Sequence, residues 1–205
     1  MILGVKKLLK LVKTEKLVEN LSERELKNPE GAGFDIRIGE LYKLKSKAEP
    51  SDSWARREKR TKFSATIKNQ KSKSFLGIDE RRTPDIELVS KYDKKKSKKV
   101  FLQPRTYYLM KTIEKVNLPE NLLALFTPRS TLYRSGVYIF GGQTAPGYQG
   151  ELTTGIYNFR DEKFELEMGA RVLHIMFFEV KGKTSLYRGQ WQGGRVTTKK
   201  KEKQV

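Results

Sequence analysis

Two stretches of this sequence hold residues suited to a polyanion. Arg129, Ser130, Thr131 and Arg134 fall together in "TPRSTLYRSG". A guanidinium fork matches phosphate oxygens in a bidentate way, and hydroxyls add further donors. "YRGQWQGGR", residues 187–195, sets Arg188 and Arg195 among glycines whose amides could wrap phosphates. Two further stretches could complete such a site. "GAGFDIRIG", residues 31–39, puts Asp35 and Arg37 on the face that strand alternation leaves to solvent. "QTAPGYQGELTTG", residues 143–155, has the Pro146-Gly147 turn of a β-hairpin. Taken singly, each signal is weak: a "PRS" triplet and a glycine-rich basic tail both arise by chance.

Composition fits an anionic partner. The chain has 205 residues with a formal net charge of +19 and no Cys. Disulfides, thiolate nucleophiles and Cys-based metal sites are thereby excluded, and a reducing, cytoplasmic setting is the simple expectation. The cations concentrate in Arg56–Lys73, Lys94–Lys99 and the tail Lys199–Lys203. The bland reading is solvated lysine. The functional one is weak, nonspecific attraction to nucleic acid. No window reaches the ~18 uninterrupted apolar residues a membrane helix needs, so no membrane partner is expected.

The elements that must position these residues read as mostly β, after a short helical start. Ile2, Val5, Leu8, Leu9 and Val12 are spaced as one helix face. Ser22, with Glu25 three residues on, is a capping-box pattern stopped at Asn28-Pro29. "FDIRIGELYKLK" alternates as a half-buried strand. From Ile86 on, runs of 5–9 residues with turn signals between them predict strands, from "IELVSKY" to "ARVLHIMFFEV". Residues 46–75 read as a basic insertion, either a long surface loop or an added hairpin, with Trp54, Phe63 and Ile67 scattered in it. The expected organisation is a single domain over 1–198 followed by a basic tail, 199–205. Asp79, Glu80 and Asp85 read as a solvated loop. His174 sits inside an apolar strand as a structural histidine, and Trp191 reads as a packing anchor.

In this order and spacing, the segments resemble the deoxyuridine triphosphatase / deoxycytidine triphosphate deaminase (dUTPase/dCTP deaminase) superfamily. "AGFDI" is similar to its first motif, "PRSTL" to its second, "GYQGEL" to its third and "GARVLHIMF" to its fourth. "YRGQWQGG" resembles its C-terminal arm, in the style of the deaminases. Arg134, five residues after Arg129, and the N-terminal helix are deaminase-like too. The resemblance spans roughly residues 1–45 and 76–198. It implies a distorted β jelly-roll or barrel. It also implies a homotrimer with nucleotide sites at subunit interfaces, and a deoxynucleoside triphosphate whose phosphates carry Mg²⁺ without direct side-chain ligation.

The same resemblance implies nucleotide-binding roles for Arg129, Ser130, Thr131, Arg134, Ala145, Tyr148, Thr154, Gly155, Arg171, Tyr187, Arg188 and Gln190. Arg129, Ser130 and Thr131 would hold phosphate from one subunit. The hairpin 137–150 would hold base and sugar, with Tyr148 under the sugar and no room left for a 2′-hydroxyl. Arg188 and Gln190 would close over the triphosphate, and Asp35 would order the metal's waters.

The chemistry of either branch needs a carboxylate. Hydrolysis between the α and β phosphates needs one to orient or deprotonate an in-line water, and deamination needs one to shuttle protons to the base. The positions where the resemblance implies them hold Ala145 and Gly155. Three readings stay open: a paralogue that binds nucleotide without turning it over, an enzyme whose base has moved to Asp35 or Glu151, or a chain whose active-site Asp has been replaced by Ala. Hydrolysis of dUTP to dUMP and diphosphate is the leading expectation, a silent nucleotide-binding protein the next, and dCTP deamination or a nucleic-acid-associated β-protein lesser ones.

Overall fold

The computed structural model describes residues 1–45 and 74–204; the basic insertion's Arg56–Lys73, with Trp54, Phe63 and Ile67, lies outside the described residues. Along the chain the elements are α1 (Val5–Glu15), β1 (Val18–Glu19), α2 (Glu23–Lys27), β2 (Gly33–Leu44), β3 (Phe75–Leu76), β4 (Glu80–Arg82), β5 (Ile86–Lys91) and β6 (Lys99–Leu102). They continue as β7 (Tyr107–Asn117), β8 (Leu122–Pro128), α3 (Ser130–Arg134), β9 (Val137–Ile139), β10 (Gly142–Thr144), β11 (Gln149–Asn158), β12 (Phe164–Glu167), β13 (Arg171–Glu179) and β14 (Glu202–Lys203). The chain is mostly β, with its longest helix at the N-terminus.

Two compact units form. The larger holds residues 1–43 and 87–196. Its strands run β10-β8-β13-β2-β7-β11-β9 in one sheet, with β1 added on β7 and β5 on β2. Neighbouring pairs are antiparallel. Register shifts between Ile38 and Glu40, between Glu151 and Thr153 and between Arg171 and Leu173 mark irregularities that bend strands and re-aim side chains. The core draws Phe34, Ile36, Ile38 and Leu41 from β2, Leu173, Ile175 and Phe177 from β13, Met110 from β7 and Ile156 from β11, all inaccessible to solvent. α1 buries only Leu8 completely, so the stripe read from the sequence is narrower in the fold.

One expectation for β2 is overturned. Alternation predicts an exposed face for Asp35 and Arg37. Asp35 is instead 3% exposed, and β2 is buried on both faces from Gly33 to Glu40 apart from a half-buried Arg37. Arg37 is covered because the Glu114 carboxylate takes both its amide (2.7 Å) and its Nε (2.6 Å). Burial raises the Glu114 carboxyl against these bonds. The capping box is also half kept. Ser22 accepts the Glu25 amide at 3.4 Å, but the Glu25 carboxylate turns inward, is inaccessible to solvent and accepts the Asp35 amide at 3.0 Å. A buried strand amide needs a partner, and that demand outranks the local cap.

Of the described residues, 44–45, 74–86 and 197–204 belong to the smaller unit. Within it β3, β4 and β14 form a three-stranded sheet. The tail is therefore not frayed at this point. Glu202 pairs with Arg81, and Thr198 and Thr83 exchange bonds between amide and hydroxyl at 2.8 and 2.9 Å. Glu80 lies in a strand rather than a solvated loop, and it bridges to Lys201.

Candidate functional site

Register alone assembles the first half of the site. β13 lies between β8 and β2, so His174 has Asp35 opposite on one side and Thr127 on the other. Arg129 follows the end of β8, fixed by its amide on the Val172 carbonyl at 3.0 Å. Asp35 then becomes a hub. Its Oδ1 is 3.0 Å from His174 Nδ1, and its Oδ2 is 3.0 Å from Arg171 Nη1 and in an ion pair with Arg129. Arg24 Nη1 stands 3.7 Å from the same Oδ2 while bonding Glu25 directly. Two buried carboxylates thus floor a cluster of three guanidiniums and an imidazole.

The energetics of this cluster are tightly coupled. A buried carboxylate is tolerated only when its charge is met and its lone pairs are used, and here both conditions hold for Asp35. The guanidiniums repel one another in turn: burial lowers the Arg129 proton affinity, and the neighbouring charges of Arg171 and Arg24 lower it further. Burial also lowers the His174 pKa, which favours its neutral form. Asp35 is consequently a poor general base, because its lone pairs already face cations. Ser130, Thr131 and Arg134 are exposed on α3, just after Arg129. Sequence reasoning missed Arg24 and Glu25 as partners of this half. Their only signal was the capping-box spacing, ten residues ahead of Asp35.

The second half is the hairpin and the arm. Tyr148 is 6% exposed, donates its hydroxyl to the Glu151 carbonyl at 2.7 Å, and meets the Tyr187 ring edge-on with centroids 5.3 Å apart. Burial pushes the Tyr148 phenol up to about 12, so it remains a neutral donor. The arm is docked along the hairpin. Tyr187 N–H donates to the Pro146 carbonyl at 2.7 Å, and Gly193 N–H to the Gln149 carbonyl at 2.8 Å. The Gln192 amide spans Gly147 O (3.0 Å) and the Gln149 amide (3.1 Å). These protein contacts offset the ordering cost of a glycine-rich segment, which the sequence offered little to meet. Arg188 is exposed, and Gln190 half-buried. Trp191 is also half-buried, with the Arg195 guanidinium 5.9 Å above its ring.

At the two carboxylate positions the hairpin has little to offer. Ala145 is half-buried, and its carbonyl accepts the Tyr148 amide at 3.2 Å. Gly155 is buried under aromatic rings: a Cβ there would fall 2.6 Å from Tyr107 Oη and 2.8 Å from Phe140 Cδ2. Phe140 meets Tyr107 at a tilt (ring centroids 6.2 Å apart) and Tyr138 edge-on (5.5 Å), and Thr154 Oγ1 donates to the Phe140 carbonyl at 2.6 Å. An aromatic wall therefore stands at Gly155, the position where the resemblance implies a deaminase carboxylate. Burial raises the Tyr107 phenol as well, so that wall is uncharged at neutral pH. Glu151 packs its carboxylate against Gly194 of the arm, where even a Cβ would collide with Oε2. Among the described residues, no group of three or more His, Asp or Glu side chains could hold a metal ion, and no helix is long and apolar enough to cross a membrane.

Comparison with known proteins bears directly on this arrangement. A family model described as dCTP deaminase-like matches residues 2–180. The chain belongs to the dCTP deaminase-like family. It is 36% identical over 113 residues to the dCTP deaminase of Pyrococcus furiosus, covering 54% of this chain and 72% of that one. It is 34% identical over 112 residues to the dCTP deaminase of Thermococcus kodakarensis, with the same two coverages, 54% and 72%. Among solved structures, the 2′-deoxycytidine 5′-triphosphate deaminase of Agrobacterium tumefaciens superposes with a TM-score of 0.55 at 16% identity. That match covers 87% of this chain and 48% of the other, so this chain spans about half the length of that structure's chain. The dUTPase/dCTP deaminase superfamily read from the four motifs is thereby established, and with it the fold class.

Proposed function

We propose that this protein binds a deoxynucleoside triphosphate, with Mg²⁺ on the phosphates, and does not deaminate it. The observation behind this is the contrast at the two halves of the site. Arg129 and Arg171 converge with a third guanidinium over buried counter-charges, while the space beside Gly155 is filled by Tyr107 and Phe140. The relatives named as dCTP deaminases support a deoxynucleotide ligand. Metal would reach the protein through the phosphates, and Asp35 could contact its waters only by loosening His174 or a guanidinium. In this reading the sites are shared between subunits of a homotrimer. The hairpin and arm face Arg129, Ser130, Thr131 and Arg134 of a neighbour, with Thr154, Tyr187, Arg188 and Gln190 closing around the nucleotide.

A second reading, dUTP diphosphatase, has one observation in its favour. Diphosphate release lacks the carboxylate that the resemblance implies at Ala145, and Ala145 is only half-buried, whereas Gly155 is buried against Tyr107 and Phe140. Titrating the protein with dUTP and dCTP in Mg²⁺, and following diphosphate and ammonia release from the same samples, tests both. The expected result is saturable triphosphate binding that Arg129→Gln abolishes, with no ammonia released. Failure to bind either nucleotide would reject the proposal. Steady diphosphate release from dUTP would establish the second reading in its place.

A further inference from the structure

Resting on that reading, we propose that Arg24 is a third phosphate-binding guanidinium, reaching the terminal phosphates of a nucleoside triphosphate together with Arg129 and Arg171. Arg24 stands outside the four motifs, in the short α2 that precedes β2. The fold nevertheless turns it onto the hub: Nη1 bonds Glu25 and lies 3.7 Å from Asp35 Oδ2, the oxygen that also meets Arg129 and Arg171.

Three features mark this as a ligand site rather than a closed ion-pair cluster. The carboxylate floor is buried, Glu25 at 0% and Asp35 at 3% exposure, whereas the Arg24, Arg129 and Arg171 side chains keep 40%, 28% and 34%. The positive ends thus face outward from a negative base. Each guanidinium has five N–H donors, and the bonds within the cluster use only some of them. Finally, three positive charges stand over two buried negative ones, and they are close enough that Arg24 and Arg171 both depress Arg129. The further carboxylate at hand is Glu30, 3.3 Å from Arg24 Nη2 and 73% exposed. A flexible, solvated carboxylate is a contact that a polyphosphate can replace, because surface ion pairs contribute little.

Glu25 acts here as a positioning residue. Its other oxygen is tied to the Asp35 amide, so it holds Arg24 in register with the first strand of the site. If Arg24 merely neutralised Glu25, its loss would alter folding stability and leave phosphate recognition untouched.

The experiment compares dUTP, dUDP and dUMP binding by titration calorimetry, with Mg²⁺, for the unaltered protein, Arg24→Gln and Arg24→Lys. A charge-assisted bond lost from the terminal phosphates should weaken dUTP about 10–100-fold in Arg24→Gln. Binding of dUMP should change by less than about threefold, and Arg24→Lys should fall between. Should Arg24→Gln fail to fold, the Lys variant carries the comparison, since it keeps the charge and loses the fork. Equal weakening of all three nucleotides, or no weakening of any, overturns the proposal while leaving nucleotide binding itself intact. No binding of dUTP by the unaltered protein overturns both.

Discussion

The two halves of the site are built from opposite materials. The half on β2, β13 and the end of β8 is charged to capacity, with every oxygen of Asp35 engaged by a cation or an imidazole. The half on the hairpin, β11 and the arm is aromatic and amide-rich, and the two positions where the resemblance implies carboxylates hold Ala145 and Gly155. The difference separates two tasks that nucleotide enzymes combine. Holding a polyphosphate needs fixed cations, and these remain. Moving a proton needs a carboxylate with a free lone pair, and neither Asp35, saturated by its partners, nor Glu151, packed under Gly194, offers one at the hairpin.

The largest expected effect strikes the charged half. Asp35→Asn would leave three guanidiniums over Glu25 and the exposed Glu30, and breaking a buried pair from one side costs about 3–5 kcal/mol. Chemical denaturation should show that loss. A change below about 1 kcal/mol would mean that the cluster is not mutually dependent, and the contrast between the halves would lose its physical basis.

A smaller effect is expected in the aromatic half. Gly155→Glu drives a side chain into Tyr107 and Phe140, and overpacking of this kind costs about 1–3 kcal/mol. The thermal midpoint should fall, and no ammonia should appear with dCTP. A variant that folds as stably as the parent and releases ammonia would show that the aromatic wall yields easily and that deaminase geometry persists beneath it.

Much of this was legible before the fold. The four motifs announced the superfamily, and the strand runs from "IELVSKY" to "ARVLHIMFFEV" appear as β5 to β9 and β11 to β13 with shifted ends, while the short β10 was not among them. Alternation failed at Asp35, because periodicity reports which residues can face a core and not which polar face a neighbouring helix and three arginines will cover. Arg24 and Glu25 were hidden for the same reason. Their part in the site depends on where α2 lands, and locally they spell a helix cap. The wall at Gly155 was hidden too, since Tyr107 and Phe140 lie 48 and 15 residues away in the chain and meet it only across strands. The polar tail carried no sequence signal of pairing, yet a two-residue ladder and the Thr83–Thr198 exchange give its backbone partners.

In the proposed site the charged half is ready and the hairpin lacks only its carboxylate for hydrolysis. Measuring diphosphate release from dUTP by Ala145→Asp against the unaltered protein tests it most directly. General-base catalysis contributes roughly 10²–10⁴-fold, so the restored carboxylate should raise turnover by at least tens-fold while triphosphate affinity stays near that of the parent. Unchanged turnover in a folded, nucleotide-binding Ala145→Asp protein would contradict the claim.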